Sequence, residues 1–597
     1  MISLRFPGLS RASSFSAFVM MLSLAIVAMT RSAPGAGASG PLLRLVPNDA
    51  GATLAVEDLK GTAREVLDSP LFEAVRRLAV VKEWLDSGHL RGFVDAAEKV
   101  EQVLGEKVSM IRDDLLGEAF VLTLHVPANS RPDEARGLLL IRVPNQDLLD
   151  RIIVRVNTEK IARGEFRRIS DRSHRGVSYH VREMPAAGHD EEFYASLKDR
   201  VFIWSNSESL ILSAIDRQAG AARGLSEESA FRAVHEGLPD RAIASLYVDP
   251  QFVRKMLDAS ARIPKPEDER LFALATRYLK AVRYAGASVV WREGLVLQTR
   301  EVFDPEKLTP GMKRWASRRE TPDPMLRRIP STALIVASTS IDPVAVLDTL
   351  TELVAPKDRA KLATLWEALK GVMLAQDVRD DVAANIGPGL VAYIERPVEM
   401  ENGSRFPLVV AFEIARGPAG IKAGAAVANG LRTILAVHAL DPKNGDEDAT
   451  IESRPSSGTD IVGLSKKTPY AFAFADNRLV LGNTVAAVSR ALQSQANQKS
   501  GGSFAKFRED LFPDARSYLV ADLKAIRAFA DRSRPDLARK LAARQQITLS
   551  EGARELDRAL ALFSLFDVAY LANTIEPGFL AVNRTIGLVR SATAPAP

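Results

Sequence analysis

Histidine, aspartate and serine give this chain its scope for chemistry, and their spacing argues against each familiar reaction in turn. Of the seven histidines, His174, His180 and His189 come nearest to a cluster, with Asp190 adjacent. Zinc sites draw on i, i+4 helical pairs or cysteine partners, and neither accompanies them, so they read as polar strand-end and loop residues. His125 alternates with Leu124 and Val126 and reads as an outward or hydrogen-bonded strand residue. Asp441 to Asp448 suggests a calcium loop with Glu452 in the twelfth place, but Lys443 and Gly445 stand where the third and fifth ligands belong. A surface turn is expected there instead. Ser503-Phe-Ala-Lys506 lacks the companion motifs of a serine acyltransferase, and Gly35 to Gly40 matches Gly-x-Gly-x-x-Gly with no strand before it. No Gly-Lys dipeptide, Gly-x-Ser-x-Gly or His-Glu-x-x-His occurs. The paired carboxylates Asp113-Asp114 and Asp380-Asp381 precede strands and read as turn-forming, solubilising residues rather than proton donors. No catalytic, cofactor-binding or metal residue is assigned, and no cofactor is expected.

The elements that would position such residues explain most of them. Strands around Thr53 to Val56, Ile243 to Val248, Leu334 to Val336 and Tyr518 to Val520 run into Asp58, Asp249, Asp342 and Asp522, each followed by an apolar-periodic segment. An aspartate there accepts from the open N–H groups of the first helical turn and complements the helix dipole. Pro250 and Pro343, in the first helical position, strengthen the expectation. Ser205-Asn206-Ser207 and Gly482-Asn483-Thr484 are likewise expected to cap helices over Glu208 to Asp216 and Val485 to Ser494. Longer helices are expected within Thr62 to Val108, broken near Pro70 and Gly88, and over Pro266 to Arg283, Asp358 to Leu374 and Pro535 to Phe563.

These segments recur in order. Ser196 to Ile215 returns as Ala473 to Leu492, Val46-Pro47 as Ile329-Pro330, and Leu238-Pro-Asp240 as Phe512-Pro-Asp514. The expected fold is α+β in two tandem, similar units, 43–303 and 329–590, each a large, mostly antiparallel sheet of eight to ten strands with inserted and flanking helices. Residues 304–328, rich in Pro, Lys and Arg, read as a basic, solvated linker with an alternative reading as an anionic-surface contact, and 591–597 as a frayed tail.

The 597 residues are 46% hydrophobic and 26% charged, a globular composition, with a net charge of +5. Three of those charges, Arg5, Arg11 and Arg31, sit in an acid-free leader, so the body is near neutral and no nucleic-acid partner is expected. Arg5 and Arg11 precede an uncharged apolar run and then Ala36-Gly-Ala38, so residues 1–38 read as a signal peptide or, through residues 12–30, an uncleaved membrane anchor. With no cysteine, an exported chain must be held by core burial without disulfides.

The run Leu45 to Leu59, "GEAFVLTLHV" from Gly117, the hairpin entering "SNSESLILSAI" from Ser205 and the closing Leu-Pro-Asp strand resemble large, signal-bearing bacterial envelope proteins built on an internally duplicated domain of unknown function. The resemblance implies export to the periplasm or cell envelope and a duplicated α+β body, and it brings no catalytic residues. The expected function is a noncatalytic binding or scaffolding role toward an envelope protein, lipid or polymer, with membrane contact through the N-terminal segment if it is uncleaved. The alternatives are a carrier of a hydrophobic ligand between sheet and helices, and a hydrolase with an unrecognised site.

Overall fold

The computed structural model describes residues 40–79, 81–82, 91–125, 134–185, 191–240, 242–259, 276–291, 294–317, 329–354, 358–397, 406–440, 450–456, 458–464, 470–475, 477–494 and 502–590. Residues 1–38, read above as a signal peptide or anchor, the acidic run 441–448 and residues 591–597 lie outside them. The chain divides into two compact units: the first runs to Phe303 and takes in Asp557–Leu565, and the second starts at Asp304.

The first unit holds β1 (Ala52–Glu57), β2 (Ala119–His125), β3 (Arg136–Arg142), β4 (Arg168–His174), β5 (Val177–Glu183), β6 (Glu192–Leu197), β7 (Val201–Ser205), β8 (Ala244–Val248), β9 (Val282–Trp291) and β10 (Gly294–Phe303). Their pairings are all antiparallel and run in the order β10-β9-β8-β1-β2-β3-β7-β6-β5-β4. The second unit holds β11 (Ala333–Ser340), β12 (Ile386–Glu395), β13 (Leu408–Ile414), β14 (Ile451–Ser456), β15 (Thr459–Leu464), β16 (Ala471–Ala475), β17 (Arg478–Gly482), β18 (Ser517–Asp522), β19 (Val568–Ile575) and β20 (Ala581–Val589). Their order is β20-β19-β18-β11-β12-β13-β17-β16-β15-β14, the same arrangement strand for strand. Helices enter each unit at the same points, after the first, third, seventh and eighth strands. The architecture is α+β with a large antiparallel sheet.

Both faces of the central strands are covered. In the first unit, helices Glu208–Gln218 and Ser229–His235 pack over Val121, Leu138, Leu140 and Ile203, while Gln146–Ala162 covers Phe120, Leu139, Ile141 and Trp204 on the opposite face. Every residue of β7 is therefore buried. The second unit repeats this with Val480, Val488 and Phe504 on one face, and with Leu435, Val462 and Phe472 on the other.

Three expectations need correction. The helix expected to Arg283 stops before Val282, where β9 begins. The helix expected over Pro535 to Phe563 is two, Arg534–Gln545 and Leu549–Phe563. Gln546 adopts a left-handed φ of 57°, and Thr548 and Glu551 cap the second helix reciprocally, through Thr548 N–H to Glu551 Oε2 at 2.8 Å and Glu551 N–H to Thr548 Oγ1 at 3.3 Å. The segment 304–317 is not a solvated linker either: it forms a short turn and the helix Pro310–Ser317, belongs to the second unit, and buries Leu308. Its Arg314 pairs at 3.2 Å with Asp342, whose side chain is 2% exposed, so burial of the partner explains the basic residue. Residues 318–328 lie outside the described residues.

Candidate functional site

The four aspartates at strand ends act as helix caps. Asp58 accepts from the Gly61 N–H at 2.9 Å, Asp249 from Gln251 at 2.8 Å, Asp342 from Ala345 at 3.1 Å and Asp522 from Ala525 at 2.8 Å. Asp58 does so from a left-handed φ of 44°, and a Cβ at residue 61 would collide with its carboxylate, which accounts for Gly61. Burial pushes the Asp249 carboxyl above its ordinary value.

The polar triplets divide their work differently from expectation. Thr484 Oγ1 caps its helix through the Ala487 N–H at 2.9 Å, whereas Ser207 makes no side-chain cap bond. Asn206 instead accepts from the Gly137 N–H at 2.8 Å, and Asn483 from the Leu408 N–H at 2.9 Å, so each asparagine ties the end of the seventh strand to the start of the third.

The paired carboxylates occupy a matched and unusual backbone feature. Ile111-Arg-Asp-Asp-Leu115 and Val378-Arg-Asp-Asp-Val382 each form a π-helical turn ahead of the second strand of their unit. Such turns are rare and cluster at functional sites. Arg112 binds Asp113 through two nitrogens at 2.6 and 2.9 Å, and Asp114 takes Lys60 at 3.0 Å. In the second unit Arg379 spans Asp348 at 2.8 Å and Asp380 at 2.6 Å, while Asp377 accepts from the Asp380 and Arg379 N–H groups, which hold its carboxyl below the ordinary range. Each turn sets one arginine against two aspartates, with Lys60 and Asp348 joining from neighbouring helices and Asp381 accepting from the Asp377 N–H at 2.8 Å, and a Cβ at Gly117 would strike the Asp113 carbonyl. The arrangement locks a turn; its acids are engaged, not poised for proton transfer.

One polar constellation belongs to the first unit alone. Arg182 on β5 and Glu192 on β6, with side chains 8% and 6% exposed, pair at 3.0 Å. Arg182 Nε donates to Asn157 Oδ1 at 2.8 Å, Asn157 donates to the Tyr194 hydroxyl at 3.1 Å, and Trp204 Nε1 reaches Glu192 at 3.4 Å. The guanidinium lies over Tyr194 and Phe166, 4.6 and 5.4 Å from their centroids, and His180 stacks on Tyr194 at 4.7 Å. The strand register puts Leu464, Phe472, Leu481 and Val462 of the second unit in the places of Arg182, Tyr194, Trp204 and His180. The same fold thus accommodates an apolar core there.

The histidines separate. His180 Nδ1 meets Asp171 at 2.7 Å, and His174 Nε2 meets Asp216 at 2.8 Å; His189 and Asp190 lie outside the described residues. His125 Nε2 lies 3.5 Å from Asp49. Asp216 also binds Arg175, and these two partners hold its carboxyl below the ordinary range, His174 foremost. Glu208, at the start of the same helix, accepts from Tyr179 and Arg172 at 2.6 Å each, and its carboxyl is lowered, by Tyr179 foremost. The β4–β5 hairpin is therefore clasped to both ends of helix Glu208–Gln218. Among the described residues, no group of three or more His, Asp or Glu is arranged to hold a metal ion.

No family model matches the chain, and no curated protein or solved structure does so either. Sequence reasoning missed the Arg182 network because its members are spread over 157–204 and carry no spacing signal. The Arg-Asp-Asp recurrence was visible as a pair of aspartates, and the arginine preceding both was the additional clue.

Proposed function

We propose that the protein is a noncatalytic, exported binding or scaffolding protein of the cell envelope, built from two copies of one α+β design. The observation that carries this reading is that the acids recurring in both units are each engaged in a cap, a turn or an ion pair. A reactive carboxylate needs an open coordination or proton-transfer partner, and these are committed to the backbone and to neighbouring cations. The shared strand order supports the duplicated body. The near-neutral body charge fits a partner other than nucleic acid.

Crosslinking in intact cells, followed by fractionation, tests the proposal. The expected result is recovery from the periplasmic or membrane fraction with an envelope protein, lipid or polymer attached. Turnover of an ester, peptide or glycoside by purified protein, abolished by Asp171→Asn or Glu192→Gln, would overturn it.

A further inference from the structure

The β4–β5 hairpin is attached to its sheet more lightly than the central strands of the first unit. β2 and β3 pair along the whole of Ala119–His125, whereas β5 meets β6 only over His180–Arg182, opposite Tyr194–Glu192. Past His180 the hairpin reaches the body through side chains, with Tyr179 and Arg172 bound to Glu208, and His174 and Arg175 to Asp216. β4 has no second strand partner among the described residues. On one face the hairpin gives Tyr179 and Val181 to the core, with Val177 packed at the margin. On the other it gives a charge, Arg182.

The surroundings that Arg182 enters are built almost wholly by other elements. Asn157 comes from helix Gln146–Ala162, Glu192 and Tyr194 from β6 and Trp204 from β7; only Phe166, just ahead of β4, travels with the hairpin. A guanidinium with a carboxylate at its edge and an aromatic ring on its face is how proteins recognise an arginine brought by a partner. Here the arginine is the chain's own. Releasing Arg182 and Glu192 together returns both charges to water and recovers the desolvation spent in burying them. The counterpart hairpin β14–β15 has Val462 and Leu464 in the core of the second unit, so its release exposes aliphatic surface instead. A short ladder, a polar base and ion-pair ties suit β4–β5 to local opening, and opening bares the outer edge of β6 to a new strand.

A strand replacing β5 has to supply what β5 supplies. Opposite Glu192 it needs a planar, forked cation; one residue earlier, on the other face, an apolar side chain in the place of Val181; two residues earlier, a ring to stack on Tyr194 as His180 does at 4.7 Å. Lysine fails the first requirement, because an ammonium has neither the plane nor the fork.

We propose that β4–β5 is an internal occupant of a strand-accepting site on β6, displaced by an extended protein segment that carries ring, apolar and arginine residues in that order and sets its guanidinium between Tyr194 and Glu192. The proposal rests on the envelope-binding reading and names the site and the class of partner. The test uses the full chain and a fluorescent peptide with the sequence of residues 177–183, beside the same peptide with lysine in place of the arginine. Anisotropy compares the parent with Glu208→Gln/Asp216→Asn, which weakens the ties of the hairpin and leaves the β6 site intact.

The arginine peptide is expected to bind this variant about tenfold more tightly than the parent, because more of it is already open, and about tenfold more tightly than the lysine peptide does. Binding should strip hydrogen-exchange protection from the amides of 168–183 while β2 and β3 keep theirs. Circular dichroism checks the fold of the variant, and exchange on the parent alone gives a second measure, in which hairpin amides open ahead of those of β2 and β3. Absence of binding, equal binding of the two peptides, or hairpin amides that exchange only together with β2 and β3 would overturn the proposal. A variant that dimerises with concentration and takes up no peptide would overturn it in favour of hairpin exchange with a second copy. These measurements are made on purified protein, so their failure leaves the envelope-binding reading to its own crosslinking result.

Discussion

Arg182 Nη1 donates to Glu192 Oε2 at 3.0 Å inside a core where the second unit places Leu464 opposite Tyr470. Removing one member of a buried pair strands the other charge, at a cost of about 3–5 kcal/mol, whereas replacing both with apolar residues of similar size is near neutral or stabilising. Arg182→Leu alone is therefore expected to destabilise the protein by about that amount, and Arg182→Leu with Glu192→Leu to recover most of it. Urea unfolding followed by far-ultraviolet circular dichroism measures both. Additive losses in the double variant would show that the pair, not its packing, holds this core.

Asn206 and Asn483 perform one task in two settings. The bond to Gly137 N–H is part-buried, and that to Leu408 N–H is exposed. Asn206→Ala leaves an amide without solvent access and should cost about 1–3 kcal/mol, while Asn483→Ala, where water substitutes, should cost about 1 kcal/mol or less. Matched unfolding curves decide the ranking, and a larger loss at Asn483 would contradict it.

Asp249 caps its helix with a carboxyl whose folded pKa is raised by burial. For an acid raised in this direction, the charged form is penalised in the folded state, so the penalty operates above the folded pKa and is relieved as pH falls. Asp249→Asn retains the acceptor for Gln251 N–H and carries no charge. It is expected to melt at a higher temperature than the parent near neutral pH, with the two converging below the ordinary value of 3.8. Parallel melting curves at every pH would rule out the burial penalty.

The clasp between the β4–β5 hairpin and helix Glu208–Gln218 has the opposite sign. Glu208 and Asp216 are depressed from 4.5 and 3.8, so their stabilisation is complete above those values and is lost as pH falls through the lower folded values. Proteolysis near Arg175 should accelerate as the medium is taken below about pH 4. Glu208→Gln with Asp216→Asn should already be fast at neutral pH and lose that acid step. An unchanged pH profile in the double variant would sever the link.

Strand-end aspartates were legible because a cap is local: the residue, the turn and the first helical amides lie within four positions, as Asp342 and Ala345 illustrate. Sheet order was less accessible, since antiparallel neighbours such as β1 and β8 are remote in the chain and alternation does not name partners. The Arg182 network escaped because β5 alternates as a half-buried strand does: Ser178, His180 and Arg182 share its polar face, Ser178 is exposed, and nothing in the sequence marks Arg182 as the one member of that face that is covered. The double helix after Ser533 hid behind continuous apolar periodicity, although Thr548-x-x-Glu551 spelled out its second start. The helix within the basic segment was masked by charge density, because a pairing such as Arg314 with buried Asp342 depends on a neighbour 28 residues away.

The position of β1 between β2 and β8 governs when the first unit can close during synthesis. Ala52 pairs with Leu124 on one side and with Val248 on the other, so the nascent chain carries a half-completed ribbon until most of that unit has left the ribosome. Loop closure over such a distance slows assembly and leaves an open edge ready to capture the wrong strand. The second unit has the same strand order, so its Ile335–Ala521 pairing imposes the same wait again, and the open edge then faces competition from the corresponding strand of the other unit.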